Sequence, residues 1–309
     1  MCGIVGLFFK DPSLEPQLGQ LLTTMLISMS DRGPDSAGIA IYANHIPGMA
    51  KITVQSDLPD TDFPSLADDL QGALGAPVSL LARSTHAVLT LPREVADTAR
   101  SNLTTIRPGL RVMGRGECIE IYKEVGLPNS VAARFGIEEM SGSHGIGHTR
   151  MATESAVTTM GAHPFNTGMD QCLVHNGSLS NHNSLRRKLR RHGFFTETEN
   201  DTEVAAAYLT WQMQKGATLG QALESGLSDL DGFFTFVVGT KDGFGVVRDP
   251  IACKPAVMAE TDQYVAFGSE YRALVELPDI EKAQIWEPEP ATVYFWERGV
   301  SPGPAQRAA

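Results

Sequence analysis

The sequence is poor in cysteine and contains no long apolar run. Its four cysteines, at positions 2, 118, 172 and 253, are scattered over 309 residues without a CxxC pair, which argues against a disulfide framework. No segment reaches the roughly 18 apolar residues that a membrane span needs, and the first residues lack the basic start of a secretory signal. We therefore expect a cytoplasmic protein with reduced thiols and no membrane partner.

Basic residues are also scarce relative to acidic ones. The chain has 25 Lys and Arg against 36 Asp and Glu, for a net charge of −11. Because sequence-independent nucleic-acid binding needs a basic surface, this balance argues against nucleic acid as a partner. The hydrophobic fraction of 42% and the charged fraction of 20% are those of an ordinary globular chain.

The hydrophobic pattern predicts many short strands and few long helices. Apolar segments 2–9 and 39–42 flank a helical stretch over 15–28, and further helices are expected over 181–192 and 201–215. Strand-like segments follow at 118–122, 144–150, 170–175, 233–239, 243–247, 256–259 and 264–267. Strands in hairpin order with few helices indicate an α+β fold built on antiparallel sheets.

Residues 46–116 have a different hydrophobic pattern from the rest of the chain. Their pattern predicts the order β-α-β-β-α-β, a split-βαβ unit that we interpret as a subdomain inserted into a main domain spanning residues 1–300. The remaining residues, 301–309, are rich in Pro, Gly and Ala, and we expect a flexible tail.

Cys2 is the first candidate for chemistry. If Met1 is removed, the thiol and the free α-amine belong to one residue, and the amine can act as the base that activates the thiol. Their ordinary pKa values, about 7.7–8.0 and about 8.5, allow proton transfer between them. The alternative is a small apolar cysteine in an edge strand, and the other three cysteines are expected to be buried and inert.

Three further segments carry polar groups next to apolar strands. Segment 32–38 is a tight turn that could hold an internal Arg–Asp pair. Arg150 ends a buried strand, where its guanidinium could bind a carboxylate of a substrate or of the protein itself. Asn176 and Gly177 could supply two oxyanion donors, although an Asn-Gly pair alone is usually a turn.

Together these segments resemble the class II glutamine amidotransferases, the amino-terminal-cysteine branch of the Ntn hydrolases. The matching motifs occur in family order at 2–6, 32–38, 147–153, 162–165, 175–177, 201–203, 248–255 and 268–270. The resemblance covers residues 2–45 and 117–290. It implies a four-layer αββα sandwich in which Cys2 is the nucleophile, its own α-amine is the general base, and Asn176 and Gly177 form the oxyanion hole.

The resemblance also implies a glutamine pocket. Arg150 would bind the α-carboxylate, Asp201 the α-ammonium group, Thr153 would support the pocket, and Arg32 would hold a loop over the site. The chain departs from the family pattern at Met151, where an aromatic residue is frequent, and at position 154, where a His is common. The implied reaction releases ammonia from the side-chain amide and hydrolyses a γ-glutamyl thioester.

The chain has no dinucleotide fingerprint, P-loop or phosphoribosyl-binding motif, and the insert is too small for a synthase domain. The ammonia would therefore pass to another polypeptide. The chain resembles the separate amidotransferase subunit of glutamate-synthase-type complexes such as N-methylglutamate synthase. That resemblance implies a synthase subunit with an FMN-binding barrel, a β-helical subunit, FMN and iron–sulfur groups only in those partners, and no cofactor in this chain.

Several alternatives stay open at this point. The chain could be a catalytically silent glutamine-binding or structural subunit, or an Ntn amidase for another amide, although Arg150 with Asp201 favours an amino-acid head group. His144 and His148 are four residues apart, but their Gly-rich context argues against a metal site. The basic run 186–192 is either a solvated helix face or a docking patch for an acidic partner, and the insert is a second candidate contact.

Overall fold

Two antiparallel sheets packed face to face form the body of the chain, and the computed structural model describes residues 2–152 and 156–299. The strands are β1 (Gly3–Phe9), β2 (Ser36–Tyr42), β3 (Met49–Gln55), β4 (Ser79–Arg83), β5 (His86–Pro92), β6 (Arg111–Gly116), β7 (Ile119–Val125), β8 (His144–Arg150), β9 (Phe165–Gly168), β10 (Gln171–Leu179), β11 (Gly232–Gly239), β12 (Gly243–Arg248), β13 (Val257–Glu260), β14 (Tyr264–Gly268), β15 (Gln284–Trp286) and β16 (Thr292–Glu297). The helices are α1 (Leu18–Ile27), α2 (Pro59–Asp62), α3 (Leu66–Leu74), α4 (Ala96–Ile106), α5 (Pro128–Phe135), α6 (His182–Arg191), α7 (Asp201–Gln214) and α8 (Leu219–Asp229).

The body has four layers. A seven-stranded sheet, in the order β15-β13-β14-β1-β8-β2-β7, packs against a five-stranded sheet, in the order β16-β12-β11-β10-β9. Helices α1 and α5 cover the outer face of the first sheet, and α6, α7 and α8 cover the outer face of the second. A third apolar cluster fills the space between the sheets. The structure thus confirms the predicted αββα sandwich.

Strand β1 shows why the amino-terminal segment is apolar throughout. Ile4 and Phe8 point into the core between the two sheets, whereas Val5, Leu7 and Phe9 pack under α1. A strand buried on both faces has no polar side and reads as a continuous apolar run. The segment following Cys2 is therefore held in the centre of a sheet.

The helix boundaries differ from those predicted. The stretch expected over 15–28 is a 3-10 turn (Pro12–Gln17) followed by α1. Helices α5 and α8 were not predicted, and neither were strands β9, β15 and β16. Helix α8 carries a recognisable start signal, because Thr218 and Gln221 form a reciprocal capping box at its amino terminus.

The inserted segment forms a third sheet in the order β4-β5-β3-β6, with α3 and α4 packed on one face over a core of its own. It lies against strands of both main sheets. The Ile121 amide in β7 donates to the Thr53 hydroxyl at 3.3 Å, and the Arg115 amide donates to the side chain of Asn166 in β9 at 3.2 Å. Whether residues 46–116 fold by themselves stays a prediction, and the tail over 301–309 lies outside the described residues.

Asp170 fastens the end of the insert to the body. Its buried carboxylate accepts hydrogen bonds from the amides of Glu117, Cys118 and Ile119 at 2.7 to 3.0 Å. Three amide donors on one carboxylate fix the chain where it leaves β6 and enters β7.

Among the helices that the structure describes, none is long and apolar enough to cross a membrane.

Candidate active site

Strand pairing places Cys2 at the end of β8. Strand β1 lies between β8 and β14, with Gly3 opposite Thr149. A Cβ at Gly3 would come within 2.8 Å of the Met29 Cβ, so only glycine allows this close approach. The half-buried Cys2 has its Sγ 4.0 Å from the Met151 carbonyl oxygen. The thiol therefore lies next to the residue that follows Arg150. Met1 is outside the described residues.

Two predicted site residues converge on the carbonyl oxygen of Cys2. Arg32 Nε donates to it at 2.9 Å, and Asn176 Nδ2 donates to it at 3.2 Å. Both side chains are buried, with 8% and 4% of their surface exposed. Residues 2, 32 and 176 of the sequence thus meet at one peptide group.

Arg32 forms an ion pair that was not predicted from the sequence. Its Nη1 pairs with Glu270 Oε1 at 2.5 Å, and Arg272 Nε pairs with the other oxygen at 2.8 Å. The hydrogen bond from Arg32, with the positive charge of Arg272, lowers the pKa of Glu270. The internal Arg–Asp pair considered above does not form, because Asp35 instead accepts from the Ala152 amide at 2.7 Å.

Asn176 and Gly177 lie inside β10 and do not form a turn, so the turn alternative is wrong. Gly177 has φ of +150°, and a Cβ there would lie 2.0 Å from the Phe233 carbonyl oxygen. This position therefore requires glycine. The pair is suited to an oxyanion hole because an Asn amide has two N–H donors, and the contact with Cys2 uses only one of them.

Arg150 and Asp201 line one cavity of about 500 Å³. Arg150 is 7% exposed and donates to the Ala156 carbonyl at 3.4 Å. The described lining also includes Thr158, Met160, Gly161, His182, Thr198, Glu199 and Asn200. Cys2 and Asn176 are not part of this lining. Cys2 contacts the backbone of Met151, which follows Arg150, and Asn176 contacts Cys2. The lining thus holds the guanidinium of Arg150 and the carboxylates of Asp201 and Glu199, and a guanidinium with a carboxylate matches the two charges of an α-amino acid.

Asp201 is held in its ionised form. Burial raises its pKa, but the hydrogen bond and positive charge from His175, together with the Leu179 amide, outweigh burial and bring the pKa to about 2. Leu179 N donates to Oδ2 at 2.9 Å, and His175 Nδ1 lies 3.6 Å from Oδ1. Asp201 is also the first residue of α7, where the helix dipole favours a negative charge.

Asp201→Asn is expected to lower the free energy of unfolding by about 2 kcal/mol at pH 7. Because the folded pKa of about 2 lies below the ordinary value of 3.8, the carboxylate stabilises the fold above pH 4, and this contribution is lost as the pH falls through the folded pKa. Urea unfolding at pH 7 and pH 3 measures the difference. Asp60→Asn, at an exposed carboxylate, is the control; an Asp201→Asn deficit that did not shrink at pH 3 would contradict the prediction.

Two buried histidines contact the next residue, Thr202, and a third, His148, stacks on one of them. The Thr202 hydroxyl lies 2.8 Å from His163 Nε2 and 3.0 Å from His175 Nδ1. His148 Nε2 lies 3.1 Å from the His175 carbonyl oxygen, and burial lowers the pKa of His148 to about 3. Together with Thr202, these rings connect β8, β10 and α7, so they link the elements that carry Arg150, Asn176 and Asp201. No sequence motif pointed to this cluster.

The other residues singled out from the sequence are pocket candidates next to Arg150, the remaining cysteines and His144. Thr153 and Glu154 lie outside the described residues, and Met151 is 37% exposed. Cys118 and Cys172 are buried, but Cys253 is exposed, which corrects the expectation that it is buried. His144 Nε2 lies 2.9 Å from the Thr240 carbonyl. Within residues 2–152 and 156–299 no group of His, Cys, Asp and Glu side chains could hold a metal ion.

The model of a glutamine amidotransferase domain matches residues 136–303, which is more than half of the chain. The chain belongs to the glutamine amidotransferase family. The matched residues include Arg150, Asn176, Gly177 and Asp201, whereas Cys2 and Arg32 precede them.

Two relatives match this amidotransferase over nearly its whole length. The glutamine amidotransferase-like protein GlxB of Rhizobium meliloti is 70% identical over 297 residues, covering 96% of this chain and 98% of GlxB. A putative glutamine amidotransferase of Methanothermobacter thermautotrophicus is 33% identical, covering 95% of this chain and 99% of the relative.

Among solved structures, the glutamine phosphoribosylpyrophosphate amidotransferase from B. subtilis superposes with a TM-score of 0.60 at 20% identity. The match covers 96% of this amidotransferase and 47% of that structure, so the chain spans about half of the solved enzyme. This likeness shows the fold: the amidotransferase has the class II, Ntn-hydrolase architecture predicted from its motifs.

Proposed function

We propose that this amidotransferase hydrolyses the side-chain amide of L-glutamine through a γ-glutamyl thioester on Cys2. The observation that carries the proposal is the convergence of Arg32 and Asn176 on Cys2, beside a cavity that Arg150 and Asp201 line together. A nucleophile, an amide donor and two opposite charges in one place are what an amino acid with a side-chain amide requires.

Each chemical step has a group to perform it. The α-amine of Cys2, freed by removal of Met1, takes the thiol proton, and the sulfur attacks the amide carbon. The second N–H of Asn176 and the amide of Gly177 stabilise the oxyanion. The protonated α-amine then returns its proton to the leaving nitrogen, ammonia departs, and a water molecule hydrolyses the thioester to glutamate and free thiol.

The substrate groups that do not react would be fixed by charge. In this proposal Arg150 pairs with the α-carboxylate and Asp201 with the α-ammonium group, with Thr153 supporting the pocket. Arg32, tied to Glu270 and to the Cys2 carbonyl, holds segment 32–38 over the site. The carboxylate state of Asp201 at neutral pH supports its part, because its pKa is about 2.

We further propose that the chain is a separate amidotransferase subunit that supplies ammonia to a partner synthase of the glutamate synthase or N-methylglutamate synthase type. Such a partner would contain an FMN-binding barrel and a β-helical subunit, with FMN and iron–sulfur groups outside this chain. In support, GlxB and the Methanothermobacter relative are covered to 98% and 99% by the match, so both have about the length of this chain.

The test is intact-mass spectrometry before and after treatment with a glutamine analogue that carries an electrophile at the side-chain carbonyl. We expect a chain without Met1 and a single adduct that maps to Cys2 and is blocked by excess glutamine. The exposed thiol of Cys253 is an internal control that stays unmodified. Retained Met1 without a Cys2 adduct would contradict the proposal and leave a catalytically silent subunit.

A further inference from the structure

The outer face of α6 carries an unusual concentration of positive charge. Arg187, Lys188, Arg190 and Arg191 are exposed, while Leu185 and Leu189 bury the opposite face. The whole chain has a net charge of −11. The outer face of this helix is therefore a strongly basic patch on an acidic protein.

These cations are not explained by contacts within the chain. Among the described residues, Arg187, Arg190 and Arg191 form no ion pair, whereas the neighbouring Arg186 pairs with Glu199 at 2.7 Å. Arg187 and Arg191 are four residues apart, where like charges destabilise a helix. The helix dipole favours cations in the last turn only, which leaves Arg187 without that benefit.

An exposed aromatic ring lies at the end of the same helix. Phe195 is 71% exposed, the largest exposed fraction of any large apolar side chain in the part of the chain that the structure describes. The chain reverses at Gly193, with φ of +84°, and the Phe194 amide donates to the Leu189 carbonyl at 3.1 Å. This closure fixes the backbone that carries Phe195, four residues after Arg191. Arginine together with an exposed aromatic ring is typical of protein interfaces.

We propose that the α6 surface, formed by Arg187, Arg190, Arg191 and Phe195, docks an acidic protein partner. The carboxylates of the partner pair with the three guanidinium groups, and an apolar pocket on the partner receives the Phe195 ring. The inference rests on the proposed function, because the partner would be the polypeptide that uses the ammonia. Nucleic acid fits less well, since the acidic remainder of the chain repels a polyanion.

The position of α6 supports this choice of partner. Arg186, 9% exposed, donates to the Thr198 carbonyl at 3.3 Å and to Glu199, and both of these residues line the cavity with Arg150 and Asp201. His182, the first residue of α6, lines it as well. The docking face and the wall of the substrate cavity thus belong to one helix and its attached loop.

The experiment places the photo-crosslinking amino acid p-benzoylphenylalanine at position 195 of the full chain, expressed in its native host. Two variants with the same change in net charge are compared: R187Q/R190Q/R191Q on α6, and Q17E/Q20E/T24E at exposed positions at and near α1. We expect one cross-linked protein whose linked segment is rich in Asp and Glu. Its yield should fall at least about tenfold in the α6 variant and stay unchanged in the α1 variant.

The proposal is overturned by cross-links to nucleic acid or to a second copy of this chain, by the absence of any cross-link, or by a yield that the α6 variant does not lower. Circular dichroism of both variants checks that the helices remain folded. The cross-link needs no glutamine hydrolysis, so a silent Cys2 with a charge-dependent cross-link would refute only the proposed function. An active Cys2 without the cross-link would refute only the docking surface.

Discussion

Replacement of Cys2 by alanine is expected to reduce glutamine hydrolysis by about 10⁴-fold or more. The alanine variant keeps the α-amine, the backbone contacts to Arg32 and Asn176 and the Arg150–Asp201 cavity, but it lacks the atom that forms the thioester. Glutamine should still bind, since its charged groups keep their partners. Steady-state release of glutamate measures the first effect, and isothermal titration calorimetry with glutamine measures the second.

Cys253→Ala is the matched control for this prediction. Its thiol is exposed and accessible to reagents, yet it plays no part in the site described above, so its removal should leave kcat and KM unchanged. Equal activity of the Cys2→Ala and wild-type chains would exclude Cys2 as the nucleophile. Loss of glutamine binding together with loss of turnover would instead show that Cys2 shapes the pocket.

Asn176→Ala is expected to lower kcat by about 10²–10³-fold with little change in KM. The side chain donates one N–H to the Cys2 carbonyl, and the other is available to the oxyanion, which exists only in the transition state and the intermediate. Removal of a donor used only there lowers kcat and leaves ground-state binding intact. Steady-state kinetics over a range of glutamine concentrations separates the two parameters.

The comparison variant is Asn166→Ala, which removes another backbone-binding amide outside the site. Asn166 donates to the carbonyls of Gly168 and Gln171 in the β9–β10 hairpin at 2.9 and 2.7 Å, so its loss should lower thermal stability without a specific effect on kcat. If Asn176→Ala changed KM alone, or if both variants lost activity in proportion to stability, an oxyanion role for Asn176 would be refuted.

Much of the fold could be predicted from local pattern. Strand β8 (His144–Arg150) was predicted with both boundaries correct, because small residues alternate there with larger ones up to the charged Arg150. Three of the missed elements are short: α5 has eight residues, and β9 and β15 have four and three. Helix α8 could have been found from Thr218 and Gln221.

The sequence named candidate site residues, but it could not give the contacts between them. The motifs named Arg32, Asn176 and Asp201, and the structure places all three around Cys2 and its neighbouring cavity. The pairing of Arg32 with Glu270 joins residues 238 positions apart, which no single sequence reveals. The histidines near Thr202 were missed for the same reason, since they meet only when the two sheets and α7 pack together.

The insert has a consequence for aggregation that follows from its place beside the two main sheets. Strands β7 and β9 are the last strands of their sheets, and an uncovered edge strand can pair with another chain. The insert covers both: Thr53 binds a β7 amide, Lys51 pairs with Glu120 at 2.6 Å, and the Arg115 amide binds Asn166 in β9. We expect a chain without residues 46–116 to expose both edge strands to solvent and to self-associate through them. The insert would then protect the protein from aggregation by edge-strand pairing.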